Sequence, residues 1–167
     1  MSQSNNKNSN SGTLKIFGAV ALLFGIVYAI LGTLALTGAV SGLDVVKALG
    51  QDPDRAFKTL VTVGKSKEHY VFVVPVSKEL NLKKAAQSVG EKSIEMIKSK
   101  ELLPLTGYVH GGCSPIGMKK QFTTTIDQSA ERFERIMFSA GKIGYQVEVG
   151  LEDLAKVIRF QLAEIAE

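Results

Sequence analysis

The chain has no tryptophan, one cysteine, two histidines and four prolines in 167 residues, and aromatic residues make up 7% of it. A lone thiol, Cys113, excludes an internal disulfide and any zinc site built on cysteines. His69 and His110 alone are too little material for a histidine-rich metal centre, so no metal or cofactor is expected. The scarcity of aromatics argues against a nucleic-acid reader that works mainly by stacking bases. The net charge of +4 and pI near 9.1 describe a mildly basic protein, compatible with phosphate ligands without specifying them. The length suits one compact domain plus an appendage.

Charge is also absent over a long stretch. Residues 1–15 are small and polar and are expected to form a disordered leader. Residues 16–40 carry no charge at all, and a helix of 25 residues, at about 1.5 Å per residue, crosses a hydrocarbon core of roughly 30 Å. Gly18, Gly25 and Gly32 recur every seven residues, a spacing suited to close helix packing. The run therefore reads either as a membrane anchor or as an unusually apolar element of the fold. Lys7 and Lys15 are the only charges before residue 41, so residues 41–167 carry 18 basic against 16 acidic side chains and have a soluble domain's composition.

Within residues 41–167 the pattern predicts a short helix from Ser41 to Gly50, a turn at Asp52-Pro53-Asp54, and an antiparallel hairpin of strands 56–63 and 70–76. Asn81 caps a predicted helix over 82–89, and Ile94 and Ile97 extend the helical period over 91–99. Short strands are expected at 108–110, 121–126, 135–139 and 145–149. Residues 151–166 close the chain as an amphipathic helix with Leu154, Val157, Ile158, Leu162 and Ile165 inward. The fold class is α+β, a mixed, partly closed β-barrel with flanking helices.

The most unusual stretch is Gly107-Tyr-Val-His-Gly-Gly-Cys-Ser-Pro-Ile-Gly117. Adjacent glycines at 111 and 112 either turn backbone N–H groups outward, as a cradle for a carbonyl oxygen or phosphate, or merely permit a tight turn. Ser114 does not sit in a G-x-S-x-G elbow, and a three-residue spacing in a loop does not make His110 the base of Cys113. Lys58 alternates with apolar residues on a predicted strand, so it either snorkels at the rim or places its charge in a polar cavity. Ser139-Ala-Gly-Lys-Ile-Gly144 is a second glycine turn, matching neither a Walker loop nor a dinucleotide fingerprint. The pairs Lys83-Lys84 and Lys119-Lys120 are suited either to solvent or to a nucleic-acid backbone.

Phe57-Lys58-Thr59-Leu60, Val73-Val74-Pro75-Val76, Leu82-Lys83-Lys84, Leu105-Thr106-Gly107-Tyr108-Val109, Gly111-Gly112-Cys113-Ser114-Pro115-Ile116-Gly117, the Thr-Ile-Asp ending at Asp127 and Ser139-Ala140-Gly141-Lys142 together resemble the YbaK-type Cys-tRNA(Pro) deacylases, over residues 39–167. The resemblance implies trans-editing of mischarged tRNA in the cytoplasm beside prolyl-tRNA synthetase, on Cys-tRNA(Pro) and also Cys-tRNA(Cys). It implies that the substrate's own thiol attacks its ester, so the protein supplies no nucleophile. It makes Lys58 with Gly111 and Gly112 the catalytic elements and Thr59, Ser114, Ser139 and Gly141 substrate-binding. The four lysines 83, 84, 119 and 120 would then meet the tRNA. An Ala-tRNA(Pro)-editing homologue is the rival within the family, and a non-catalytic, membrane-anchored RNA- or protein-binding module is the rival outside it. Family members begin with a helix and a strand of the pattern Tyr-x-Val-His-x-Tyr, whereas here that place holds the uncharged run 16–40. The run is then an anchor, an apolar replacement that still packs on the domain, or a misread frame.

Overall fold

The computed structural model describes residues 26–29 and 52–167. Among the described residues, eight strands form two sheets. β1 (Ile26–Ala29), β7 (Tyr145–Val149) and β6 (Ile136–Ser139) make a three-stranded antiparallel sheet in the order β1-β7-β6. The other sheet has the order β4-β2-β3-β5-β8, from β4 (Ile94–Met96), β2 (Phe57–Gly64), β3 (His69–Pro75), β5 (Thr123–Asp127) and β8 (Gln161–Ala163). β2 pairs antiparallel with β3 and β4, whereas β5 runs parallel to both β3 and β8. An isolated parallel bridge from Ala56 to Met137 joins the two sheets, which do not close into a barrel among the described residues. Three short α-helices lie among the described residues: α1 (Leu82–Ser88), α2 (Ser99–Thr106) and α3 (Leu151–Ala155).

The position of β3 explains its sequence. As the central strand it is covered on both faces, with Val71 and Val73 in one apolar cluster and Phe72 and Val74 in another. A strand buried on both sides reads as a continuous apolar run, and all four residues are at most 1% exposed. The first cluster fills the space between the sheets with Phe138, Val147, Val149, Ile126 and Leu154. The second packs α1 through Ala85 and Ala86 onto the other face. Asn81 caps α1 by accepting the N–H of Lys84 at 2.9 Å.

Four expectations need correction. Residues 91–98 are not helical: Ile94 pairs with Gly64 at the start of β4, because β2 offers an open edge there. The helix comes one segment later as α2, with Pro104 inside it. Residues 108–110 form no strand, since Tyr108 turns inward and its hydroxyl donates to the Ile116 carbonyl at 2.5 Å. The C-terminal helix stops at Ala155, and Leu162 is exposed on β8. There the free edge of β5, together with the buried carboxylate of Asp127, which accepts the N–H groups of Ile165 and Ala166 at 3.0 and 2.9 Å, outweighs helical periodicity.

The four described residues of the run 16–40, Ile26–Ala29, are extended and paired with β7 from Ile26↔Glu148 to Ala29↔Tyr145. A helix spanning 16–40 is incompatible with that pairing, and no helix among the described residues is long and apolar enough to cross a membrane. The rest of that run, the leader and the predicted helix from Ser41 to Gly50 lie outside the described residues.

Candidate active site

The Ala56–Met137 bridge creates a shared polar face. Side chains on a strand alternate, and directly paired residues point to the same side of a sheet. Met137 pairs with Glu148 and Ser139 with Gln146, so these four residues share one face of the small sheet. Two residues beyond the bridge on each strand stand Lys58 and Ser139, which brings Lys58 onto the same face. Lys58 and Ser139 were expected to belong to one site, and the bridge sets them at corresponding positions, two residues along the adjoining strands.

Lys58 is partly buried, with its side chain 26% exposed, and its Nζ donates to Glu79 Oε1 at 2.8 Å. Glu79 is mostly in solvent, so this ion pair contributes at most about 1 kcal/mol and leaves the ammonium available. Deeper on the face, Arg55 is paired with the buried Glu148. The Gln146 side chain is buried, and among the described residues its Oε1 has no hydrogen-bond partner. A buried amide oxygen without a donor is costly, on the order of 1–3 kcal/mol. Gln146, Glu148, Arg55 and Glu79 went unnoticed in the sequence. The alternation Gln146-Val-Glu148-Val did carry a signal, since period two places both polar residues on one face.

The two glycine turns meet. A Cβ added at Gly112 would lie 3.3 Å from the Ile143 backbone nitrogen, tighter than an ordinary contact, so glycine suits the close approach of the 107–117 loop to the 139–144 turn. The neighbouring Gly111 has φ +80°, and a Cβ added there would meet Ile143 Cγ1 at 3.8 Å, an ordinary contact. The N–H of Gly112 is taken by the Val109 carbonyl at 3.0 Å, closing the turn. The two glycines thus differ: Gly112 approaches the opposing turn closely, and among the described residues the Gly111 N–H has no backbone acceptor. In the opposing turn, Ser139 Oγ accepts the N–H of Gly141 at 3.3 Å, with Gly141 at φ +90°.

Other expected site residues do not converge. Thr59 lies on the opposite side of β2 from Lys58, toward the cluster holding Phe57 and Val61, with its Oγ1 buried and unpartnered among the described residues. Ser114 is fully buried and accepts the Ile116 N–H at 3.3 Å, which gives it a loop-shaping role. Cys113 is buried, its thiol is pushed up to about 12 by desolvation, and no hydrogen bond joins it to His110 among the described residues. At neutral pH it is therefore a protonated packing group, the opposite of an activated nucleophile. The basic pairs separate: Lys84 is bound to Glu164, Lys119 caps α2 on the Leu103 and Pro104 carbonyls, and Lys83 and Lys120 are exposed. No group of three or more metal-ligating side chains occurs among the described residues.

Residues 38–157 match the aminoacyl-tRNA editing domain. The chain belongs to this editing-domain family. An Enterococcus faecalis protein named as a Cys-tRNA(Pro)/Cys-tRNA(Cys) deacylase, EbsC, is 46% identical over 125 residues, 75% of this chain and 76% of that protein. The proline–tRNA ligase of Shouchella clausii is 32% identical over 108 residues, which are 64% of this chain but 19% of the ligase. In fold, the editing domain is similar to a crystal structure described as a trans-editing enzyme for prolyl-tRNA synthetase. The TM-score is 0.78 at 23% identity, over 99% of both chains. That likeness extends the family assignment to a mixed α/β architecture. The shared polar face and the paired glycine turns both fall largely within the matched residues of the editing domain.

Proposed function

We propose that the chain is a cytoplasmic aminoacyl-tRNA deacylase that clears Cys-tRNA(Pro), and also Cys-tRNA(Cys), in trans to prolyl-tRNA synthetase. The observation that carries this reading is the Lys58–Ser139–Gln146 face beside two abutting glycine turns, a site with charge and acceptors but no activated nucleophile. In this reading, as the family resemblance implies, the substrate supplies its own nucleophile. The cysteine thiolate attacks the carbonyl carbon of its ester, a C–S bond forms, the C–O bond to the tRNA breaks, and the 3′ oxygen leaves and takes a proton. Water afterwards opens the resulting thiolactone to free cysteine. The protein's part is to hold the ester, orient the thiol and stabilise the oxyanion. Lys58 opposes the developing negative charge together with the Gly111 amide, the Gln146 oxygen accepts from the α-ammonium of the aminoacyl group, and Ser139 and Gly141 form the wall. The modest net charge of +4 agrees with a protein that leaves part of tRNA selection to a partner.

The test is release of amino acid from Cys-tRNA(Pro), Cys-tRNA(Cys) and Ala-tRNA(Pro) by the purified full chain. Fast loss of cysteine with slow loss of alanine is expected. The reverse preference would identify an alanine editor, and no turnover of any of the three would overturn the deacylase reading. In the same assay Cys113→Ser is expected to stay within about threefold of the parent, corrected for the folded fraction, because a buried neutral thiol only packs. Loss of turnover by folded Cys113→Ser protein would restore the thiol as a nucleophile.

A further inference from the structure

A concavity lies along the C-terminal part of the same loop. Pro115 to Met118, Phe122 and Thr124 form one wall and Val157, Ile158 and Arg159 the other, around a cavity of about 270 Å³. Its floor is apolar, from Ile116, Met118, Phe122 and Ile158, while Lys120 and Arg159 supply two positive charges and no carboxylate lines it. Neither cation has an ion-pair or hydrogen-bond partner among the described residues, unlike Arg55, Lys58, Lys84 and Lys156, which are all paired with acids. The Phe122 ring is held edge-on to His69, with centroids 6.4 Å apart, so the floor is shaped before any ligand arrives. Pro115 is three residues from Gly112, which limits their separation to about 11 Å.

We propose that this cleft is a nucleotide subsite for the single-stranded acceptor end of tRNA. Lys120 and Arg159 take a backbone phosphate, and the apolar floor takes a base next to the esterified terminal nucleotide. The combination of an unpaired guanidinium, an ammonium and a flat apolar surface suits a phosphate followed by a π face, the usual chemistry of single-strand recognition. A strand whose esterified end lies at the Gly111–Gly112 turn needs only to follow the loop to reach Pro115. The inference rests on the deacylase reading but is tested by binding, so the two can fail separately.

The probes are a full tRNA(Pro) transcript and the same transcript lacking its 3′ single strand, measured by anisotropy with the full chain and its Lys120→Ala/Arg159→Ala variant. The variant is expected to bind the full transcript at least tenfold more weakly. Its salt dependence should be shallower by about 0.7 for each phosphate that the variant no longer neutralises. Wild type and variant should bind the shortened transcript alike. In deacylation, the loss should fall on KM rather than kcat. Equal binding of the full transcript by both proteins, no measurable binding by wild type, or an equal loss on both transcripts would overturn the subsite. If wild type binds tRNA but cleaves no ester, the deacylase reading falls and the binding comparison still decides the cleft.

Discussion

Lys58→Ala is expected to lower deacylation of Cys-tRNA(Pro) by a hundredfold or more while the protein stays folded. A preorganised charge facing a developing oxyanion contributes about 3–4 kcal/mol, and each tenfold in rate is about 1.4 kcal/mol. The structural cost of the change is small by comparison. The side chain is partly solvated, its partner Glu79 is exposed, and the backbone of Lys58 stays in its ladder opposite Val74 whichever side chain it carries. Single-turnover cleavage by parent and variant, with a thermal melt of each, separates the two effects. Lys58→Arg tests geometry further: it keeps the charge but replaces a compact ammonium with a planar fork, and should recover only part of the rate. Turnover by folded Lys58→Ala protein within a few-fold of the parent would remove Lys58 from the mechanism.

The largest expected effect on stability belongs to Asp127→Ala. The carboxylate is 3% exposed and accepts four hydrogen bonds: from Ser129 N–H and Oγ at 3.0 and 2.5 Å, and from the N–H groups of Ile165 and Ala166 at 3.0 and 2.9 Å. Alanine would leave two buried N–H groups without an acceptor, a cost of about 3 kcal/mol or more. For a protein of this size that lowers Tm by roughly 6–12 °C. Acid should expose the same group. Burial, the strongest single influence, pushes its pKa up, but the bonds from Ser129, Ile165 and Ala166 together hold it below the ordinary 3.8. A depressed folded pKa means that the carboxylate adds stability above the ordinary value and that this share is lost as pH falls toward the folded one. Urea melts from pH 7 down to 3 should therefore show acid sensitivity in the parent that is reduced in Asp127→Ala. Parallel pH profiles would show that Asp127 is not the group responsible.

Much of the large sheet was legible in the sequence because its strands obey local rules. The hairpin at 57–75 has apolar runs bounded by a polar turn, and Asn81 sits where a cap belongs. Two of the errors share one cause, a partner distant in sequence. Ile94 and Ile97 fit a helical period and a strand entering a turn equally well, and only the vacant edge of β2 decides between them. Leu154 to Ile165 is periodic enough for one helix, yet residues 161–163 are drawn to β5, some 36 positions earlier. The parts of the candidate site, Lys58, the Gly-Gly loop and Ser139, stand out in the sequence chiefly through family resemblance. Their assembly does not, since it depends on a single bridge between Ala56 and Met137 that no local pattern announces. Gln146 was within reach of a period-two argument, but a glutamine on a short strand says nothing of burial until the second sheet is present.

The pairing of β8 also bears on how the domain is made. Glu79 exchanges backbone hydrogen bonds with Glu167, and Leu80 bridges to Ala166, so the segment that carries the partner of Lys58 is fastened by residues nearly ninety positions later. During synthesis on a ribosome β3 and β5 emerge long before residues 161–167, and the outer edge of β5 remains an open template in the interval. Parallel, long-range strand pairs also form slowly. The nascent editing domain thus passes through a stage with most of its core translated, one adhesive edge uncovered and the Glu79 segment unfastened, and it leaves that stage only when its last strand arrives.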